Sequence, residues 1–139
     1  MSYLFDTNVI SEPRRKLPNE NVRQWLAGID FAEVYLSVLT VGEIKKGTAK
    51  LSSGKQKATL ESWLDKLRSE FSERILPVTE STFLIWGNMI AAFEKKGIVR
   101  PVLDSLLEAT AIEHNLILVT RNVRNFQSSA VTILNPWED

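Results

Sequence analysis

Three carboxylates and one amide occupy places in the chain where chemistry could be done. Asp6 closes the apolar run Tyr3-Leu4-Phe5, and Glu43 falls in the first turn of the helix expected after Val34–Val38. Asp104 begins a helical stretch, and Asn122 follows the apolar run Leu116–Val119. Each has an ordinary structural account when taken alone. Asp6 can form an Asx turn or cap a helix, and Thr40 with Glu43 has the spacing of a capping box. Asp104 suits the positive end of a helix macrodipole, and Asn122 can end a strand in a turn. As a set they share one feature: all lie where strands end or where the following helices begin, and in a parallel sheet those places form a single rim. Carboxylates gathered at one rim repel each other unless a cation lies among them. Mg²⁺ suits such a place, because it is held by one or two carboxylates together with waters and phosphate oxygens. Two such ions about 4 Å apart would stabilise both the attacking and the leaving oxygen of an in-line phosphoryl displacement. Thr7, Asn8, Ser37 and Thr120 stand beside the acids and are placed to orient waters or ligands.

Composition narrows the chemistry further. The chain has no cysteine and a single histidine, His114. Disulfides, thiolate metal sites and cysteine nucleophiles are therefore excluded, and any metal must sit on oxygen ligands, which favour hard ions such as Mg²⁺ or Mn²⁺. Seventeen acidic residues balance seventeen basic ones, so attraction for a phosphate must come from a local patch or from bound metal. With 44% hydrophobic and 24% charged residues the chain has the composition of a soluble globular protein. Its first residues have neither the basic n-region nor the apolar h-region of a secretory signal, and the longest apolar stretch, Phe83 to Phe93, is too short for a bilayer. The expectation is a cytoplasmic protein with no membrane contact.

The elements that must position the acids follow from hydrophobic periodicity. Tyr3–Phe5 reads as a buried strand, and Asn19 to Gly28 as a helix with Val22, Trp25 and Leu26 inward, capped by Asn19 or Asn21. Val34–Val38 is a second strand, after which Thr40 opens a helix. Leu60, Leu64, Leu67 and Phe71 mark the inner stripe of a long helix. Arg74–Val78 is a third strand, and Pro77 makes it an edge strand or ends it. Glu80 to Lys96 is a helix with Phe83, Trp86, Ile90 and Phe93 inward and Gly97 as its stop. A helix from Asp104 to Glu113 and strands at Leu116–Val119 and Val131–Leu134 complete the chain. Strands alternate with helices, which predicts a single α/β domain over residues 1–139: a central, mostly parallel sheet of about five strands with helices on both faces.

At the level of motifs the chain resembles PIN-domain toxins of the VapC type, in particular the FitB-like branch. The resemblance is carried by Leu4-Phe5-Asp6-Thr7-Asn8-Val9-Ile10-Ser11-Glu12-Pro13 and by Val34-Tyr35-Leu36-Ser37 followed by Thr40-Val41-Gly42-Glu43-Ile44. Asp104-Ser105-Leu106-Leu107 with Ala109-Thr110-Ala111, Val119-Thr120-Arg121-Asn122 and the closing Asn135-Pro136-Trp137 complete it. The motifs span essentially the whole chain in order. The resemblance implies a PIN-like three-layer α/β/α sandwich and a ribonuclease dependent on Mg²⁺ or Mn²⁺, hydrolysing RNA by metal-activated water. It implies a homodimer held in a hetero-oligomer with a small cognate antitoxin, touching DNA only through that antitoxin. Asp6, Glu43 and Asp104 match the family's acidic metal site.

The fourth position of that site, commonly Asp, is assigned to Asn122, whose amide oxygen brings no charge and would hold a second metal less tightly. Glu108, one turn past Asp104 on the same helix, either replaces part of the missing charge or is an ordinary solvated or salt-bridged residue. Arg14, Arg15, Lys16 and Arg121 are candidate contacts for an RNA backbone or ordinary surface charge. Two alternatives remain. A phosphatase of the haloacid-dehalogenase type needs Asp-x-Asp, and Asn8 stands at its second acid. A catalytically weakened PIN module that binds antitoxin or RNA without efficient cleavage is kept open by Asn122.

Overall fold

The computed structural model describes residues 1–126, 128 and 130–138. Five parallel strands form one sheet: β1 (Tyr3–Phe5), β2 (Val34–Ser37), β3 (Ile75–Leu76), β4 (Ile117–Val119) and β5 (Ile133–Leu134), in the order β3-β2-β1-β4-β5. The first strand of the chain is thus the centre of the sheet. Tyr3 pairs with Val34 on one side and with Ile117 on the other, and Phe5 pairs with Val119. β3 lies at the edge, where Pro77 directly after it removes no ladder hydrogen bond.

Alternation along each strand sends side chains to two separate cores. Phe5, Val34, Leu36 and Val119 join Val9 of α1 (Thr7–Ser11), Ile44 of α3 (Val38–Ala49), and Leu64 and Leu67 of α4 (Lys55–Glu70). Trp25 and Leu26 of α2 (Glu20–Ala27) pack against that cluster. Leu4 and Leu118 point the other way and meet Leu107 and Ala111 of α6 (Val102–Glu113), with α5 (Glu80–Lys95) packed against α6. The result is the expected three-layer α/β/α sandwich.

Three local expectations are corrected. α3 begins at Val38 rather than at Thr40, because Ser37 is extended and its hydroxyl accepts from Leu39 N at 3.0 Å, which caps the helix directly off the strand. Thr40 is therefore inside the first turn and fully buried, and no capping box joins it to Glu43. α6 likewise begins two residues before Asp104, which places that acid in the first turn. In α5 the most buried positions are Thr82 and Met89, whereas Phe83 is 48% exposed. Thr82 is drawn inward by polar contacts: its hydroxyl accepts from Thr79 N at 3.0 Å and donates to Glu113 Oε1 at 2.6 Å. α5 ends where Gly97 adopts φ 75°, a conformation that costs glycine little, letting Ile98 N return to Phe93 O at 2.9 Å.

Candidate active site

The candidate site lies at the carboxyl ends of β1 and β4, the two central neighbours of the sheet. Asp6 follows β1, continues its ladder through Asp6 N to Val119 O at 3.0 Å, and caps α1. Its two carboxylate oxygens are held separately: Oδ1 accepts from Thr7 N at 2.7 Å and Oδ2 accepts from Thr120 Oγ1 at 2.8 Å. Thr120 is fully buried and accepts in turn from Asn122 N at 3.0 Å, so its hydroxyl proton is committed to Asp6. The carboxylate orientation is therefore set by the ends of two strands before any ligand arrives.

Glu43 reaches the same rim from α3, where its Oε1 accepts from Thr7 Oγ1 at 3.1 Å. Thr7 thus links Asp6, through its backbone, with Glu43, through its hydroxyl. Asp104 enters from the first turn of α6, and its Oδ2 accepts from Asn125 Nδ2 at 3.2 Å. Glu43 and Asp104 both feel the charge of Asp6. Burial pushes the Glu43 carboxyl above its ordinary value, and the charges of Asp6 and Asp104 push the same way against the hydrogen bond from Thr7 and the nearby Lys46. Burial likewise raises Asp104, with Asp6 adding to it and Arg100 and Asn125 opposing it. A cation would relieve this repulsion.

The donor set is compatible with a hard ion held in part through water. Among the described residues no three acidic side chains converge closely enough to bind one ion directly. Mg²⁺ does not require that, since one or two carboxylates and several waters suffice. Two further oxygens, Asn8 Oδ1 and Thr40 Oγ1, are buried with no hydrogen-bond partner; one lies two residues past Asp6 and the other three residues before Glu43. An orphaned buried acceptor is costly unless water or an ion completes it.

Residues outside the acidic triad fall into place less uniformly. Asn122 reaches the site through its backbone N–H, and the amide side chain hydrogen-bonded to an acid is that of Asn125, three residues on. The Glu108 carboxylate is fully buried and faces Arg100, with Nη2 to Oε1 at 3.1 Å, which is the salt-bridged alternative rather than the compensating charge. Among the basic residues, Arg14 covers the ring of Trp63 at 4.5 Å, Arg15 pairs with Glu12 at 3.4 Å, and Arg121 lies over Trp137 at 5.4 Å. Lys16 is exposed. Sequence reasoning missed Arg100 and Asn125. A signal for Arg100 was present: Glu108 stands among Leu106, Leu107 and Ala109 at a position that must be buried, and a buried carboxylate needs a cation.

The PIN domain family model matches residues 3–130, which includes every element that supplies an acid. The chain belongs to the PIN-domain family. This PIN domain is 39% identical over 137 residues to Toxin FitB of Neisseria gonorrhoeae, covering 98% of this chain and 99% of FitB. It is 29% identical over 136 residues to VapC ribonuclease Y4jK of Sinorhizobium fredii, covering 97% of each. The structure of FitAB bound to an IR36 DNA fragment superposes with a TM-score of 0.92 at 36% identity, covering 99% of this chain and 96% of that one. The sheet order and the flanking helices of the PIN domain are thus shared with proteins related across their full length.

Proposed function

We propose that this PIN domain is the toxin of a toxin–antitoxin pair and acts as a ribonuclease dependent on Mg²⁺ or Mn²⁺. The observation that carries the reading is the rim shared by Asp6, Glu43 and Asp104, where burial and the charge of Asp6 raise the pKa of both Glu43 and Asp104 and the charge of Asp104 raises Glu43 further. It is supported by the relatives, one named a toxin and another a ribonuclease. When bound, the metal supplies Lewis acidity toward the phosphate and toward water. The residues supply the rest. Asp6, fixed through both oxygens, presents a preset ligand, and Asp104 provides a second, held by Asn125. Glu43, its Oε1 accepting from Thr7 Oγ1, is the third acid of the site and would accept the proton of the attacking water. Attack on phosphorus then breaks the bond to the leaving ribose oxygen of the RNA strand.

The partners follow from the same reading: an RNA substrate, a small cognate antitoxin, a homodimer within a hetero-oligomer, and DNA reached only through the antitoxin. The FitAB assembly on DNA is the precedent for such a complex. Exposed Val99 in the connection before α6, Val102 and Leu103 in the first turn of α6, and Phe83 and Leu84 on α5 supply apolar surface suited to a second protein. Among the described residues no helix is long and apolar enough to cross a membrane.

A second reading, a PIN module that binds but scarcely cleaves, is favoured by one observation: amides, not acids, stand at both Asn122 and Asn125. Antitoxin-free protein incubated with total RNA, with and without Mn²⁺ or Mg²⁺ and beside Asp6→Ala, separates the two. Discrete metal-dependent cuts that vanish in the variant are expected. A folded protein that leaves RNA intact under all these conditions would transfer the conclusion to the binding module.

A further inference from the structure

Beside the acidic rim lies a buried ion pair that the reaction does not itself use. Arg100 stands in the connection between α5 and α6, with its side chain 3% exposed, against a fully buried Glu108. Arg100 Nη2 donates to Glu108 Oε1 at 3.1 Å and Nη1 donates to Oε2 at 3.4 Å, while the guanidinium covers the ring of Phe93 at 4.7 Å. A buried pair of this kind adds little stability over apolar residues of the same volume. Its other contacts point to a different use. Arg100 Nη2 also donates to the backbone carbonyl of Asn125, and Glu108 Oε2 accepts from the backbone N–H of Ser128 at 3.2 Å.

The two charges therefore grip the backbone after β4 on either side of Phe126, itself 3% exposed in the core beneath α6. The gripped segment carries the Asn125 side chain that donates to Asp104. The segment itself is a single 3-10 turn, Val123–Asn125, a weak element to carry a site residue. A planar guanidinium can serve a carboxylate and a carbonyl together, which a lysine ammonium does less well.

We propose that Arg100 and Glu108 are positioning residues: their ion pair clamps the segment after β4 to α6, so that Asn125 holds the Asp104 carboxylate in its working orientation. The consequence for metal binding at Asp104 rests on the ribonuclease reading above; the clamp does not.

The test is the double variant Arg100→Met with Glu108→Leu, which removes both charges together and avoids leaving one buried alone. Two quantities are read without RNA: amide hydrogen exchange at Asn125 and Ser128, and Mn²⁺ affinity by titration. The double variant is expected to remain folded, to exchange faster at both amides and to bind Mn²⁺ about 10–100-fold more weakly, the usual effect of losing a partner that orients a ligand. Adding Asn125→Ala should then cost no further affinity, because the clamp acts through that side chain. A folded double variant with unchanged exchange and unchanged Mn²⁺ affinity would overturn the clamp. Should the double variant not fold, the nearly isosteric Glu108→Gln takes its place: faster exchange with weaker Mn²⁺ binding supports the clamp, and no change in either overturns it. Should the unmodified protein bind no Mn²⁺, the metal-dependent ribonuclease reading fails, and exchange at Asn125 and Ser128 alone decides the clamp.

Discussion

Thr120 Oγ1 donates to Asp6 Oδ2 at 2.8 Å, joining the residues that follow two neighbouring parallel strands. Because the same hydroxyl accepts from Asn122 N, the carboxylate of Asp6 and the turn after β4 are fixed by one buried atom. Thr120→Val keeps the shape but removes both partners. It should cost about 1–3 kcal/mol in urea unfolding, the range for leaving buried polar groups unsatisfied. Mn²⁺ affinity should fall with it, whereas Thr120→Ser should keep most of both. A Thr120→Val protein with wild-type stability and metal affinity would show that Asp6 is held by other means.

The raised pKa values of Glu43 and Asp104 make a signed prediction about pH. A carboxyl whose folded pKa lies above its unfolded value binds its proton more tightly in the native state, so its contribution is greatest at low pH and is lost as pH rises through the folded pKa. In metal-free protein, these two groups should therefore lower stability as pH climbs above their ordinary values of 4.5 and 3.8. Thermal unfolding across pH in the presence of a chelator should show the wild type losing ground to Glu43→Gln as pH rises. Parallel profiles would mean that Glu43 is not under this stress.

Divalent metal should reverse that trend. A ligand that binds only the native state raises stability by RT ln(1 + [L]/Kd), about 2.7 kcal/mol at a hundredfold excess over Kd. Melting temperature should rise with added Mn²⁺ or Mg²⁺ in the wild type and stay flat in Asp6→Ala. An equal rise in both would place the ion elsewhere on the molecule.

Asn125→Asp places a fourth carboxylate against Asp104. Without metal this adds like-charge repulsion and should lower the melting temperature. With metal it adds an oxygen ligand of full charge and should tighten Mn²⁺ binding, which calorimetry would measure. Weaker binding in this variant would show that the amide proton on Asp104 matters more than an added charge.

Much of the scaffold was legible because local physics dictates it. The run Tyr3-Leu4-Phe5 followed by Asp6 has the pattern of a buried strand with a polar end, and it became the central strand, with Leu4 and Phe5 in opposite cores. Asn19 caps α2 by accepting from Val22 N at 3.2 Å, and of the expected inner stripe Leu64 and Leu67 of α4 and Phe71 at its C-cap are buried, with Leu60 half-buried. Parallel topology then sends Asp6, Glu43 and Asp104 to one rim, so their shared edge of the sheet could be read from the order of the elements.

What escaped the sequence depends on contacts between residues far apart along the chain. Phe83 looks inward by periodicity, but α5 buries Thr82 instead, because that hydroxyl meets Glu113 across a helix interface. Glu108 shares a helical face with Asp104, yet Arg100, lying outside that helix, faces its carboxylate. Asn122 and Asn125 are equivalent as amides in the sequence; a single 3-10 turn, held by Arg100, decides which one touches Asp104. Periodicity and turn chemistry act over a few residues and so determine elements and the rim they share. The orientation of each polar side chain on that rim is set by hydrogen bonds from other elements, and those exist only once the chain has folded.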